Sequence, residues 1–222
     1  MRFAALETSS DWCSVALSVE GRIFSLERLA PNRHSELVLP MLQSLLEEAK
    51  LAVADLEAVA FGAGPGAFTG LRIACGLAQG LALPRGLPVV PVSSFEAIAQ
   101  GSGAERVVAC IDARMREVYY AALERHRDSW TEVVAPSCVA PEAAPMPQGN
   151  GWIGCGSGFA AFPDILAGRL SITIPSMHPN AFSVAEIAAR RIAAGEVMDA
   201  ADALPVYVRD KVALTQKELY AR

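Results

Sequence analysis

Apolar and polar residues follow two different patterns along the first hundred positions. A period of two, or a short apolar run between turn residues, predicts a β-strand, whereas apolar residues three or four positions apart predict a helix. These patterns predict strands at residues 2–6, 13–19, 23–28, 56–61 and 88–92, and helices at 34–50, from a glycine-rich turn to about 83, and at 95–100. The mixture of strands and helices indicates an α/β fold.

Turn and capping residues predict where the two long helices begin. Thr69 or Gly66 is expected to cap the helix that follows the glycine-rich turn. Pro40 lies in the first long helix. Its missing amide costs little if that helix begins near residue 37, whereas a start near residue 32 predicts a kink.

The second half of the chain opens like the first. A strand at 106–111, a polar turn at 112–116 and a paired strand at 117–124 repeat the opening order of strand, acidic turn and strand. We infer a duplicated domain, with domains at 1–100 and 101–222 and a return of the final segment to the first domain left open. The rest of this half predicts a loop at 136–151, a strand at 170–174, an amphipathic helix at 183–194 and an extended tail at 203–208.

Composition limits the class of protein. The 222 residues, 52% of them hydrophobic, suffice for one large domain or two small ones. A formal net charge of -5 gives no general attraction to nucleic acid, and the arginines between 106 and 127 alternate with acidic residues. We expect a mixed-charge surface there, with a local nucleic-acid contact as the alternative. The five cysteines form no CxxC pair, and neither a signal peptide nor a membrane span is expected, so a cytoplasmic location is predicted.

The glycine-rich turn at residues 62–70 stands between a predicted strand and a predicted helix, where phosphate-binding loops also stand. It contains no lysine, which excludes a Walker A loop, and Ala67 replaces the last glycine of a dinucleotide fingerprint. Its glycines instead permit close backbone approach. Small residues follow in the helix and predict a thin face for a second helix, with packing on the chain's own sheet as the alternative. They are Ala74, Gly76, Ala78 and Gly80.

No pattern typical of a catalytic or metal centre is present in the sequence. His34, His126 and His178 are isolated from one another, without the spacing of a metal-binding pair. The sequence contains no GxSxG motif. We therefore predict neither a catalytic residue nor a metal ligand.

Several stretches taken together resemble the TsaB family, also called YeaZ. The run at residues 64–72, with the pattern GPGxFTGLR, is the most specific of them. The others are weak individually, but they span nearly the whole chain in the family's order. They lie at residues 6–9, 34–40, 111–114, 117–119 and 206–209.

The resemblance implies the duplicated fold of actin, Hsp70 and the sugar kinases, with two mixed-sheet domains. It implies a non-catalytic subunit that binds TsaD and supports transfer of a threonylcarbamoyl group to tRNA adenosine. A TsaE-like ATPase and tRNA would be reached through the complex, and the chain alone would form a homodimer. The partner-binding residues, on the two N-terminal helices, would be Leu37, Met41, Leu45, Phe68, Thr69, Leu71, Arg72, Cys75, Gly76 and Gln79.

The same resemblance indicates where a nucleotide would bind. The candidates are Thr8, Ser9, Ser10, Asp112 and Gly156. Glu7 stands where the family usually has an aspartate, which weakens the case for an ATPase site. We expect no cofactor of the chain's own, with ATP or ADP only at an interface with the partner. The alternatives are an independent ATPase or kinase of the same fold, and a metalloprotease.

Overall fold

The computed structural model describes residues 1–209, with the backbone alone at residue 167. The strands are β1 Arg2–Glu7, β2 Trp12–Val19, β3 Arg22–Leu29, β4 Ala58–Gly64, β5 Pro88–Ser93, β6 Arg106–Arg114, β7 Glu117–His126, β8 Ser129–Val139, β9 Ile153–Cys155, β10 Ile172–Ile174 and β11 Met198–Asp199. The helices are α1 His34–Glu48, α2 Phe68–Ala82, α3 Ser94–Ser102, α4 Ser157–Ala161, α5 Pro163–Leu166 and α6 Ala181–Ala193. In this described range, no helix has the length and apolar character needed to cross a membrane.

The strands form two mixed sheets with the same internal order. The first sheet has the order β11-β5-β4-β1-β2-β3, and the second has the order β10-β9-β6-β7-β8. In each sheet the first three strands are antiparallel neighbours, the fourth pairs with the first in parallel, and the fifth pairs with the fourth in parallel. The first sheet has β11 as an additional, antiparallel edge strand. The predicted similarity between the two halves is therefore present strand by strand, and the α/β duplicated fold is confirmed.

Helices cover both faces of the first sheet. Alternate residues of β1 point to opposite faces, as strand geometry requires: Ala4 and Leu6 pack with α1 and α2, whereas Phe3 and Ala5 pack with α6. The buried side of α1 consists of Val38, Met41, Leu42, Leu45 and Leu46, as the helical period predicts. Burial of this stripe holds α1 on the sheet.

Helix α3 lies between the sheets and packs mainly on the second. Phe95, Ile98 and Ala99 join the apolar cluster on one face of that sheet. Ser93 caps the helix, because its hydroxyl accepts a hydrogen bond from the Phe95 amide while Glu96 bonds back to the Ser93 amide. The predicted helix at 95–100 is thus confirmed with slightly wider bounds.

After the second sheet, the chain returns to the first. Helix α6 packs on the first sheet, and Arg191 on this helix pairs with Glu96 of α3 at 2.7 Å. Strand β11 then joins β5 at the edge of the first sheet. The predicted second domain, 101–222, extends beyond the described residues.

The predicted loop at 136–151 is wrong at its start, because β8 extends to Val139. Pro136 lies within this strand and indicates a loop when the sequence is considered alone. However, β8 is the outer strand of the second sheet, where one side of the backbone needs no strand partner. A register shift between Tyr120 and Ala122 of β7 faces this part of β8.

The predicted start of the first long helix is confirmed, whereas the predicted cap of the second is wrong. Ala67 occupies the cap position of α2, so neither Thr69 nor Gly66 caps it. Helix α1 begins at His34, between the two starts that were considered for Pro40, so Pro40 lies inside the helix. The side chain of Ser44 donates to the Pro40 carbonyl, 3.0 Å away.

Candidate functional site

The glycine-rich turn lies directly on the turn between β1 and β2, called here the first hairpin. The Ala67 amide donates to the Ser9 carbonyl at 2.7 Å, and the Thr8 hydroxyl donates to the Gly70 carbonyl at 2.7 Å. A Cβ atom on Gly66 would overlap the Ser9 carbonyl, and one on Gly70 would overlap the Thr8 carbonyl. The start of α2 can reach this position only because these two residues have no side chain.

Glu7, at the end of β1, is a fully buried carboxyl group. Its Oε1 accepts the Ser9 amide at 2.6 Å, while its Oε2 has no hydrogen-bond partner among residues 1–209. A Cβ on Gly62 would overlap Oε2, so the carboxyl depends on a third glycine for space. Burial raises the pKa of Glu7 above its ordinary range, and the bonds from Ser9 and the charge of His178 oppose that rise only in part.

A cleft of about 730 Å³ opens between the two sheets. The first hairpin and the glycine-rich turn form one wall, and the turn between β6 and β7, with α4, forms the other. Asp112 on the second wall accepts the Arg114 amide at 2.8 Å, and its other oxygen is 3.2 Å from the Arg114 guanidinium. The Asp112 amide donates to the Ser157 hydroxyl at 3.0 Å.

Three of the five predicted nucleotide-binding residues line this cleft: Ser9, Ser10 and Asp112. The Thr8 hydroxyl is buried against Gly70, and the Ser9 hydroxyl accepts a hydrogen bond from Ser94. Gly156 is buried instead beside the Cys110 carbonyl, where its φ of 118° suits glycine alone. The first hairpin therefore uses most of its polar groups within the protein.

Of the ten predicted partner-binding residues, four are buried in the chain's own core. These are Met41, Leu45, Leu71 and Cys75. They hold α1 and α2 on the first sheet, so they form no outer surface. Phe68, Thr69, Arg72 and Gly76 are exposed, and Leu37 is half-buried.

The predicted thin face of α2 is wrong as a single face. Ala74 and Ala78 are fully buried against the sheet, whereas Gly76 and Gly80 point outward, and no atom of the described part of the chain lies within 4 Å of an added Cβ. Residues two positions apart are about 200° apart around a helix, which puts the two pairs on opposite sides. Of these four small residues, only Gly76 and Gly80 are exposed to a partner.

A segment at residues 200–209, called here the C-terminal segment, lies along α2, a contact that the sequence patterns did not predict. The half-buried Gln79 donates to the carbonyls of Ala200 and Ala203, at 3.2 and 3.1 Å. The Phe68 ring lies 5.4 Å from the Tyr207 ring, and the Arg72 guanidinium lies 3.9 Å from the Phe68 ring. The tail was predicted to be extended, but no sequence signal indicated which helix it meets.

A second missed feature is His178, which lines the cleft and contacts the first sheet. Its ring stacks on Trp12, with centroids 4.7 Å apart and planes 5° apart. Its Nδ1 lies 3.0 Å from the Ser176 carbonyl and its Nε2 lies 3.0 Å from Glu27 Oε1. Both partners are acceptors, so an imidazole that carries both protons satisfies them together. Among the side chains described, no group of three His, Cys, Asp or Glu has an arrangement that could hold a metal ion.

The fold and the cleft define the class of protein. Two sheets that share the same order over five strands, with a cleft between their first hairpins, form the duplicated fold shared by actin, Hsp70 and the sugar kinases. Known proteins narrow this class further. Residues 27–216 match a family model described as TsaD, tRNA N6-adenosine threonylcarbamoyltransferase.

The tRNA threonylcarbamoyladenosine biosynthesis protein TsaB of Escherichia coli is 38% identical over 224 residues, covering 96% of each chain. The protein of the same name from Haemophilus influenzae is 36% identical and covers 98% of this chain and 97% of its own. A Pseudomonas aeruginosa crystal structure, described as similar to peptidase YeaZ, superposes with a TM-score of 0.89 at 39% identity, covering 94% of this chain and 99% of the other. The chain belongs to the TsaB (YeaZ) family.

We expect alanine substitutions at two glycines of α2 to have opposite effects on stability. Gly70→Ala forces a Cβ into the Thr8 carbonyl, and such overpacking costs about 1–3 kcal/mol. Gly76→Ala meets open space and gains helix propensity, up to about 1 kcal/mol. Urea unfolding of both variants measures the difference, and equal free energies of unfolding would contradict the close contact.

The buried Glu7 predicts that stability falls as pH rises. Its pKa is raised in the folded state, so the folded chain holds a proton that the unfolded chain releases near the ordinary value of 4.5. Below that pH the buried carboxyl contributes its full stabilisation to the free energy of unfolding. As pH rises from there to the pH at which the folded carboxyl ionises, this stabilisation is lost, and the free energy of unfolding falls by at most about 1.4 kcal/mol per pH unit. Glu7→Gln should remove this slope in urea unfolding measured across pH, whereas Glu48→Gln, at an exposed position, should keep it. The same slope in both variants would contradict the prediction.

Proposed function

We propose that this chain is a non-catalytic subunit of the machinery that transfers a threonylcarbamoyl group to tRNA adenosine. The observation that carries the proposal is its full-length similarity to proteins named for threonylcarbamoyladenosine biosynthesis. In this role the chain binds a TsaD-like subunit. A TsaE-like ATPase and tRNA are reached through the assembled complex, which acts in the cytoplasm. The net charge of -5 supports an indirect role toward tRNA.

The docking face is the outward side of α1 and α2. Gly76 and Gly80 leave a shallow strip along α2 on which a second helix can pack closely. Large apolar side chains are exposed on α1, on α2 and directly after α2, with exposed fractions of 45% for Leu39, 39% for Phe68 and 50% for Leu83. Small residues flanked by exposed apolar ones favour a helical, apolar partner surface.

Contacts in the first hairpin support a role other than ATP hydrolysis. The hydroxyl of Thr8 and the carbonyl of Ser9 bond to the start of α2. The carboxyl of Glu7 is buried away from the cleft surface and its raised pKa favours the neutral form, which is a poor ligand for a magnesium ion. Any ATP or ADP is then expected at the interface with the partner.

The independent ATPase is the alternative that the cleft itself suggests, because Ser10, Asp112 and Ser157 face it. Steady ATP turnover by the purified chain alone, lost in Asp112→Ala, would establish that alternative. We expect no such turnover. A turnover rate that Asp112→Ala leaves unchanged would indicate a contaminating ATPase.

Partner binding is tested by placing a large side chain on the proposed face. Gly76→Leu adds bulk where a close helix contact is expected, at a cost of about 1–3 kcal/mol of binding free energy. Ala189→Leu is the matched control, because Ala189 is exposed on α6, on the opposite side of the first sheet. Titration calorimetry with the TsaD-like subunit of the same organism should show weaker binding for Gly76→Leu only.

Absence of binding by the wild-type chain at micromolar concentration would overturn the proposed function. Unchanged binding by Gly76→Leu would show that the face is wrong. Without its partner, the same face is expected to form a two-fold dimer, because such a contact buries like against like. Sedimentation of the isolated chain should then show a dimer that Gly76→Leu weakens and Ala189→Leu does not.

A further inference from the structure

The C-terminal segment crosses the mouth of the cleft from the first sheet to the second. On the side of the first sheet, the Val206 amide donates to the carbonyl of Ala63 at the end of β4, 2.7 Å away. The next side chain, Tyr207, accepts a hydrogen bond from Arg72 Nε at 3.2 Å. These two contacts bind the segment to the glycine-rich turn and to the first turns of α2.

The far end of the segment is bound to the second sheet by Arg209. Its Nη2 lies 2.6 Å from Glu117 Oε2 and also donates to the Ala113 carbonyl at 3.0 Å. The Arg209 side chain is 14% exposed, so this charge-assisted bond is better shielded from water than an ordinary surface ion pair. The segment is therefore attached to both walls of the cleft.

The contact between the C-terminal segment and the first sheet requires a glycine at position 64. A Cβ on Gly64 would stand 2.6 Å from the Val206 carbonyl, and the φ of 120° at this residue is one that other residues rarely adopt. Gly66, two residues later, packs against the first hairpin on another side. The glycine-rich turn is thus enclosed between the first hairpin and the C-terminal segment.

Four of the stretches on which the family resemblance rests meet in this network. The run at 64–72 supplies Gly64 and Arg72, and the run at 206–209 supplies the segment itself. The stretches at 111–114 and 117–119 supply the two acceptors of Arg209. Docking of a partner on the outward side of α2 does not require contacts among the stretches at 206–209, 111–114 and 117–119. A link across the cleft does require them.

We propose that residues 203–209 form a strap that holds the first turn of α2 in place against the hairpin of β6 and β7. Partner binding on α2 then depends on the contact between Arg209 and Glu117, which lies away from the docking face. The part of this proposal that concerns the partner rests on the proposed function. The part that concerns the hold on α2 stands on the isolated chain.

The test breaks the far attachment and measures its effect on α2. Arg209→Gln and Glu117→Gln each remove the ion pair, whereas the control Arg114→Gln changes an exposed arginine of the same hairpin that pairs within its own strand. Hydrogen exchange of the isolated chain should become about tenfold faster at Val206 and in the first turn of α2 for the first two variants only. Affinity for the TsaD-like subunit should fall by about the same factor.

Each outcome separates the strap from the proposed function. Unchanged exchange in α2 would overturn the strap, and faster exchange with unchanged affinity would overturn its link to docking. If the wild-type chain binds no TsaD-like subunit, the proposed function fails and exchange alone decides on the strap. If Arg209→Gln fails to fold, Tyr207→Phe removes only the bond from Arg72, and unchanged exchange at α2 in that variant would also overturn the strap.

Discussion

The close contact between the glycine-rich turn and the first hairpin determines the arrangement of the rest of the structure. Gly66 and Gly70 have no room for even one carbon atom beyond the backbone, and hydrogen bonds to Ser9 and from Thr8 close the contact on both sides. This contact sets where α2 begins. The outward strip of α2 and the path of the C-terminal segment follow from that position.

The same contact decides how the cleft can be used. The turn between β1 and β2 and the turn between β6 and β7 face each other across the cleft. Here the first turn bonds to the protein, and Glu7 beneath it is buried beside Gly62 with its pKa raised by desolvation. On the opposite wall, the second turn and α4 present the polar residues Asp112, Arg114 and Ser157 to the cleft. The two halves share a strand order but differ in the chemistry of their turns.

Burial divides the surface of α2 into a side packed on the sheet and an outer side. Leu71, Ala74, Cys75 and Ala78 bind the helix to the first sheet, while Gly76 and Gly80 leave its outer side flat. Between these sides, Gln79 and Arg72 bond to the C-terminal segment. The helix therefore contacts the core, the C-terminal segment and solvent along three separate lines.

The sequence by itself determined the elements and the duplicated order, because periods of two and 3.6 residues report burial on a strand or a helix. The stripe from Val38 to Leu46 and the repeated opening of the two halves are examples. The motif at 64–72 also identified the family. Tertiary structure alone decided which small residues of α2 point outward, that β8 continues through Pro136, and that the C-terminal segment meets both sheets. These features depend on contacts such as those of Tyr207 with Arg72 and of Arg209 with Glu117, between residues far apart along the chain, and local periodicity carries no signal for them.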